Sequence, residues 1–255
     1  MKLKTSVILC GGKGTRLGSL GKKIPKTLIN IQGKPIIWYI LKSLKKNNFN
    51  HFILPVGYKG SKIKKYIKNN KEFDKYKIDL IDTGVNSSIS ERIFKIKKFI
   101  KSEDFLILNG DAIFLANLRK IFNDHIKKKK DISFICSEAE ADFGTVGTVK
   151  GKIVNFQRGL DFKSVKTNKK NYVGHVYSGM SIIKQRVLKE NFRHKKNFEK
   201  EFYPLVIKKY KSDMQYLKGF WHAMDNKKDI DILNNKKNNF KVFKKISYLK
   251  KKLYD

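Results

Sequence analysis

Apolar positions in the first half of the chain follow two alternating periods. Thr5 to Cys10, Phe52 to Val56, Ile78 to Asp82, Phe105 to Leu108 and Ile132 to Cys136 are short, largely apolar runs, which predict buried strands. Between them apolar residues recur every three or four positions. Ile36, Ile37, Ile40, Leu41 and Leu44 share one helical face, as do Ile63 and Ile67 within Ser61 to Lys68, and Ile93, Ile96 and Ile100 within Glu91 to Ile100. Leu115, Leu118, Phe122 and Ile126 predict one more amphipathic helix. Short strands separated by helices of about ten residues predict an α/β protein: a doubly wound, mostly parallel, Rossmann-like sheet with helices on both faces.

From about residue 143 the pattern changes. Thr145 to Phe156 reads as a hairpin turning at Lys150-Gly151, and Val173 to Ile183 as another strand. Helical segments are expected around Gln185 to Asn191 and Glu199 to Tyr210, with a strand from Met214 to Leu217. The expected organisation is therefore a core over 1–142, a small β-rich elaboration over 143–234 that completes the same sheet, and a basic tail over 235–255. In the tail Phe240, Val242, Phe243, Ile246 and Leu249 are available to pack on the body or on another subunit.

Composition adjusts this picture in two ways. With 40% hydrophobic and 12% aromatic residues the chain can bury a core. It carries 58 Lys and Arg against 22 Asp and Glu, a formal charge of +36. Such a charge first suggests nucleic acid. The excess, however, is Lys scattered over nearly every predicted helix and loop, alongside abundant Asn, Ile, Phe and Tyr. It reads as a solvated surface that concentrates anionic substrates, not as a nucleic-acid footprint. No signal-peptide core and no run of about 18 apolar residues occurs, so a cytoplasmic protein without membrane insertion is expected. Cys10 and Cys136 fall in predicted strands without metal-ligand spacing and read as small core residues.

The candidate chemistry starts where the first strand ends. Gly11, Gly12 and Gly14, then Thr15 and Arg16, occupy the first strand-to-helix loop, the usual phosphate site of a parallel sheet. The spacing is neither the dinucleotide fingerprint nor the P-loop. Glycines let backbone amides approach an anion, Arg16 would add a bidentate donor, and Lys26 after Pro25 a compact charge. A plain structural turn is the alternative reading of the loop taken alone. The second signal is Asn109-Gly110-Asp111, an acid at the carboxyl end of a strand and so at the same sheet edge. The third is Asp225, closing Gly219-Phe-Trp-His-Ala-Met. Two carboxylates beside a phosphate loop suit Mg²⁺ and a nucleoside triphosphate, because hard oxygen ligands leave phosphate oxygens to complete the shell.

Taken together, Gly-Gly-x-Gly-Thr-Arg, Pro25-Lys26, Gly33-Lys34-Pro35 and Asn109-Gly110-Asp111 resemble the sugar-phosphate nucleotidyltransferases over the first half of the chain. Val56 to Gly60, Leu80 to Gly84, Gly219 to Asp225 and Glu199-Lys-Glu201 before Pro204-Leu205 are similar to the glucose-1-phosphate cytidylyltransferase branch. The resemblance implies in-line attack of an acceptor phosphate on the α-phosphorus of CTP, with pyrophosphate leaving. It implies that Gly11, Gly12, Gly14 and Arg16 hold the triphosphate, with Thr15 and Gly110 in the same motifs, and that Lys26 lies between the α-phosphate and the incoming phosphate. It implies Asp111 and Asp225 as the Mg²⁺ ligands, Thr83 and Gly84 near the cytosine, and backbone contacts from Leu9, Cys10 and Gly11. Arg16, Lys26 and Asp111 are then the catalytic set, and no general base is needed.

Three segments depart from the family pattern. Gln157-Arg158-Gly159 stands where sugar-using relatives carry an acid, Lys and Pro; Tyr177-Ser178-Gly179 stands for a paired glycine; "TGVNSSISER" replaces a threonine- and glycine-rich loop. Arg158, His175, Tyr177 and Ser178 are therefore the candidate acceptor contacts. The acceptor is either a sugar 1-phosphate held differently or a smaller compound. The departure is similar to the phosphoglutamine cytidylyltransferases of capsule decoration, and a phosphoglutamine-like acceptor is favoured slightly. A nucleic-acid-binding protein remains the rival from another class. The oligomeric state is left open, a homo-oligomer included.

Overall fold

The computed structural model describes residues 3–140, 145–149, 152–157, 161–162, 164–166, 173–195 and 197–254. Among them, seven strands form the central sheet, in the order Ser212–Tyr216, Ile132–Cys136, Tyr177–Lys184, Asp104–Asn109, Thr5–Leu9, His51–Val56, Lys77–Asp82. All pairings are parallel except those of Tyr177–Lys184, which runs antiparallel to both neighbours.

Strand alternation sends successive side chains to opposite faces, and both faces are covered. Ile8, Leu54, Leu106 and Leu108 join one buried cluster, whereas Val7, Ile53, Phe105 and Ile107 join another. The first cluster is roofed by the helix Ile36–Lys46, whose Ile36, Ile37, Ile40, Leu41 and Leu44 are all fully buried. Side chains of this kind contribute about 1.5–3 kcal/mol each when withdrawn from water. The second is roofed by Ile89–Ile96 and by the segment Phe198–Lys209. This is the sandwich of helices about a parallel sheet that the apolar periods predict.

Three readings change, and the open one for the tail resolves. Leu115 belongs not to a helix but to the strand Ala112–Ala116, and the helix that follows starts at Leu118. Ile126 is exposed, so the buried stripe of that helix is Leu118, Ile121, Phe122 and His125. Strand and helix abut there with only Asn117 between them, so one apolar spacing ran across both. The run Val173 to Ile183 is two strands: Val173–His175 pairs with Ser164–Lys166, and Tyr177–Lys184 enters the main sheet. The tail folds as the helix Phe240–Tyr254, which buries Ile246, Leu249 and Leu253 against the body. The hairpin pairs Thr145–Val149 with Lys152–Gln157; its turn lies outside the described residues.

The parallel strands Thr5–Leu9, His51–Val56, Lys77–Asp82 and Asp104–Asn109 end at one sheet edge. The loops beginning at Cys10, Gly57, Thr83 and Gly110 are thereby gathered together, which is where ligands bind in such sheets. No helix among the described residues is long and apolar enough to cross a membrane.

Candidate active site

The glycine loop turns at Gly14, which has φ 62° and leads into the single turn Thr15–Leu17 and the helix Gly18–Lys23. That left-handed conformation disfavours any residue with a Cβ. At the neighbouring strand end, a Cβ on Gly110 would fall 2.6 Å from the Leu9 carbonyl oxygen. The Gly110 amide donates to that same oxygen at 3.1 Å, closing the second loop onto the first.

Four charged side chains meet above these loops. Lys26 Nζ lies 2.9 Å from Asp111 Oδ2 and 3.0 Å from Asp225 Oδ1, and Arg16 Nη1 lies 3.3 Å from Asp225 Oδ1. A two-stranded ribbon brings the distant aspartates together. Ala112–Ala116 pairs antiparallel with Gly219–Ala223, with Ala112 opposite Ala223, and the Met224 amide donates to the Asp111 carbonyl at 2.9 Å. Asp225 is braced from behind, because its amide donates to Asp229 Oδ2 at 2.6 Å and Asp229 closes a capping box with Asn226. Lys26 is held at the start of the turn Lys26–Leu28 by the extended Pro25.

A fifth charge lies beneath the site. Arg92 is buried, and its guanidinium donates to Thr83 Oγ1 at 2.6 Å, the Gly84 carbonyl at 2.9 Å and the Gly11 carbonyl at 2.9 Å. Burial holds its pKa below the usual arginine value, an effect opposed by Asp82 and Glu91. One cation thus ties the glycine loop to the segment after the Lys77–Asp82 strand. Sequence reasoning passed over Arg92. The readable signal was Ser88-x-x-Glu91, a capping box that starts a helix at Ile89 and sets Arg92 in its first turn.

Two cavities share this floor. One, of about 470 Å³, is lined by Leu9, Cys10, Gly11, Gly12, Gly14 and Lys26, and is closed opposite by Val85 to Ile89. The other, of about 400 Å³, is lined by Arg16, Tyr177, Asn197, Glu199, Trp221 and Asp225. Ile89, Asn109 and Asp111 line both.

The expected nucleotide residues divide accordingly, except Arg16, which lines the second cavity and not the first. The loop glycines, Leu9, Cys10, Lys26, Gly110 and Asp111 line the first cavity. Thr83 and Gly84 stand behind its wall: Thr83 is buried and its hydroxyl donates to the Val56 carbonyl at 2.8 Å. Thr15 is exposed on the outer side of its turn. Burial, reinforced by the negative charge of Asp111, raises the Cys10 thiol far above its ordinary range, so it is a neutral wall group.

The expected acceptor residues are more dispersed. Arg158 lies outside the described residues. His175 is exposed, hydrogen-bonds the Tyr216 hydroxyl and is not among the described residues lining either cavity. Tyr177 lines the second cavity, but its hydroxyl is engaged by Ser181 and Tyr203 at 3.0 Å each. Ser178 is buried, and its hydroxyl donates to the Ile135 carbonyl at 2.7 Å. These two hydroxyls are committed inside the protein, whereas Asn197, Glu199 and Trp221, absent from the expected set, also line this cavity.

Known proteins share this architecture. The chain is 30% identical over 251 residues to a probable glucose-1-phosphate cytidylyltransferase of Bacillus subtilis (strain 168), spanning 90% of this chain and 94% of the relative. It is 28% identical over 215 residues to a D-glycero-alpha-D-manno-heptose 1-phosphate guanylyltransferase of Aneurinibacillus thermoaerophilus, spanning 82% and 92%. The crystal structure of HddC from Yersinia pseudotuberculosis complexed with GMP-PN shares the fold, with a TM-score of 0.67 at 22% identity over 89% of this chain and 96% of that one. Residues 5–230 match the nucleotidyl transferase family, and the chain belongs to that family.

Proposed function

We propose that the protein transfers CMP from CTP to the phosphate of a small phosphorylated acceptor, releasing pyrophosphate, with Mg²⁺ as cofactor. The observation that carries this reading is the meeting of two cavities at Asp111, with Lys26 bridging Asp111 and Asp225. One cavity suits a nucleotide and the other an acceptor, and the cationic groups lie at their junction.

An acceptor phosphate oxygen forms a bond to the α-phosphorus as the bond to the bridging oxygen of pyrophosphate breaks. The acceptor phosphate is already an anionic nucleophile, so no proton has to be removed. Lys26 and Arg16 act by charge: Lys26 balances the α-phosphate and the incoming phosphate, and Arg16 balances the leaving pyrophosphate. The loop amides from Gly11 to Gly14 fix the triphosphate. Catalysis of this kind is mainly positioning and electrostatics.

The donor set fits Mg²⁺. Asp111 and Asp225 already converge on one cation, the Lys26 ammonium, and offer hard oxygen ligands. Among the described residues no group of three or more His, Cys, Asp or Glu side chains is placed to hold a metal. Asp111 and Asp225 would therefore hold the ion jointly with phosphate oxygens of the nucleotide. When bound it would neutralise phosphate charge.

Cytosine as the base is supported by the cytidylyltransferase relative, and a sugar 1-phosphate as acceptor by the names of both relatives. The phosphoglutamine-like acceptor draws its support from Gln157-Arg158-Gly159, where residues 158–160 lie outside the described ones. Pyrophosphate release across four NTPs and a panel of phosphorylated acceptors, with Mg²⁺ and with chelator, tests the proposal. Turnover with CTP, dependent on both acceptor and metal, is expected. Release without acceptor, or insensitivity to chelator, overturns it.

A further inference from the structure

The cleft contains a carboxylate that the reaction as described leaves unused. Glu199 lines the acceptor-side cavity beside Asn197 and Trp221. It comes from the turn Phe198–Phe202, whose Phe198 and Phe202 rings stack at 4.5 Å and are buried with Phe192 in the second core cluster. Asn197 caps the turn: its Oδ1 accepts from the Lys200 amide at 2.9 Å, and its own amide donates to Glu201 Oε2 at 2.7 Å. Glu201 is thus committed to the backbone. Glu199 has no hydrogen-bond or ion-pair partner among the described residues, in a chain of net charge +36. Desolvation at the cleft wall, and then the charge of Asp111, raise its carboxyl above the ordinary range. A partly desolvated carboxyl without a partner, fixed by a buried aromatic anchor, gains from a donor brought by the ligand.

Asp111 and Asp225 are matched by Lys26, and Glu199 does not join them in a three-carboxylate metal cluster. The indole N–H of Trp221 is occupied by the Ser178 carbonyl at 3.0 Å, so this residue offers the acceptor an apolar face and no donor. We propose that Glu199 reads the acceptor, accepting hydrogen bonds from a donor group remote from the reacting phosphate, either sugar hydroxyls or an ammonium. This rests on the nucleotidyl-transfer reading above.

The test compares wild type with Glu199→Ala and Glu199→Gln, using glucose 1-phosphate as the hydroxyl acceptor and O-phosphoserine as the ammonium acceptor. KM for CTP and for each acceptor is measured, with calorimetric binding of a non-hydrolysable CTP analogue and of the same acceptors with and without it. Loss of one charge-assisted contact is expected to raise the acceptor KM about tenfold or more while leaving the CTP KM within about twofold. Glu199→Gln should retain hydroxyl acceptors, since a carboxamide oxygen still accepts, and lose ammonium acceptors. Acceptor binding at wild-type strength in Glu199→Ala overturns the proposal, as does wild-type protein that binds the analogue but neither acceptor. Failure of the wild type to bind the analogue counts against the transferase reading instead, because acceptor binding is also scored without it.

Discussion

Arg92 Nη2 donates to the Gly11 carbonyl at 2.9 Å, joining the first turn of one helix to the glycine loop 81 positions earlier. The same guanidinium is so close to Gly11 that an added Cβ there would fall 2.2 Å from Nη1. Arg92→Lys keeps the charge but not the planar fork, and each buried carbonyl left without a donor costs about 1–3 kcal/mol. The expected result is a lower urea midpoint with CTP binding weakened at least tenfold. A variant that binds CTP like wild type would refute the coupling between the glycine loop and the segment after the Lys77–Asp82 strand.

Asp111→Asn and Asp225→Asn should each reduce turnover by about 10²-fold or more, since one well-aimed charge is removed from the reacting centre. Folding should survive, because Lys26 keeps one carboxylate partner in either variant. Circular dichroism melts and pyrophosphate release separate the two effects, and near-normal rates in either variant would exclude the metal assignment.

Lys26→Met removes the ammonium that both aspartates now share. Turnover should fall by about 10²-fold or more. Nucleotide-free protein should at the same time bind Mn²⁺ more tightly, read by paramagnetic resonance, as a competing cation is gone. Unchanged Mn²⁺ affinity would show that Lys26 and metal do not contend for the pair.

Both thiols should be inert in the folded protein. Burial raises Cys136 to about 11, and Cys10 is raised further. At pH 8 the thiolate of Cys136 should be scarcer than that of a free cysteine by roughly 10²-fold. Iodoacetamide labelling should therefore be slow until urea is added. Rapid labelling in native buffer would contradict this.

Leu249→Ala tests whether the last helix belongs to the fold. Leu249 is fully buried, packed in the first core cluster. The substitution should cost about 2–5 kcal/mol in denaturant unfolding. A loss below about 0.5 kcal/mol, the range of a surface position, would mean the helix is only loosely applied.

The alternation of short apolar runs with helical stripes was enough for the class of fold, because a strand buried on both faces has few polar positions to interrupt it. For the same reason the glycine loop and Asp111 could be placed at one edge: both follow directly from strand ends. Lys26 and Asp225 could be named but not joined, since their distance depends on the ribbon pairing of Ala112–Ala116 with Gly219–Ala223, a long-range contact without local signature. Leu115 was misread because its apolar spacing serves a strand and a following helix equally.

What the amino-acid sequence determined by itself is the sheet, its covered faces and the family motifs, all of which are local patterns of hydrophobicity, glycine and charge. Tertiary structure alone decided which polar groups remain available. The Tyr177 and Ser178 hydroxyls are consumed by internal partners, Thr83 is turned inward onto Arg92, and Glu199 is left open to the cleft. Hydrogen-bond satisfaction depends on neighbours brought together by folding, so a polar residue's freedom to meet a substrate is a property of the packed chain.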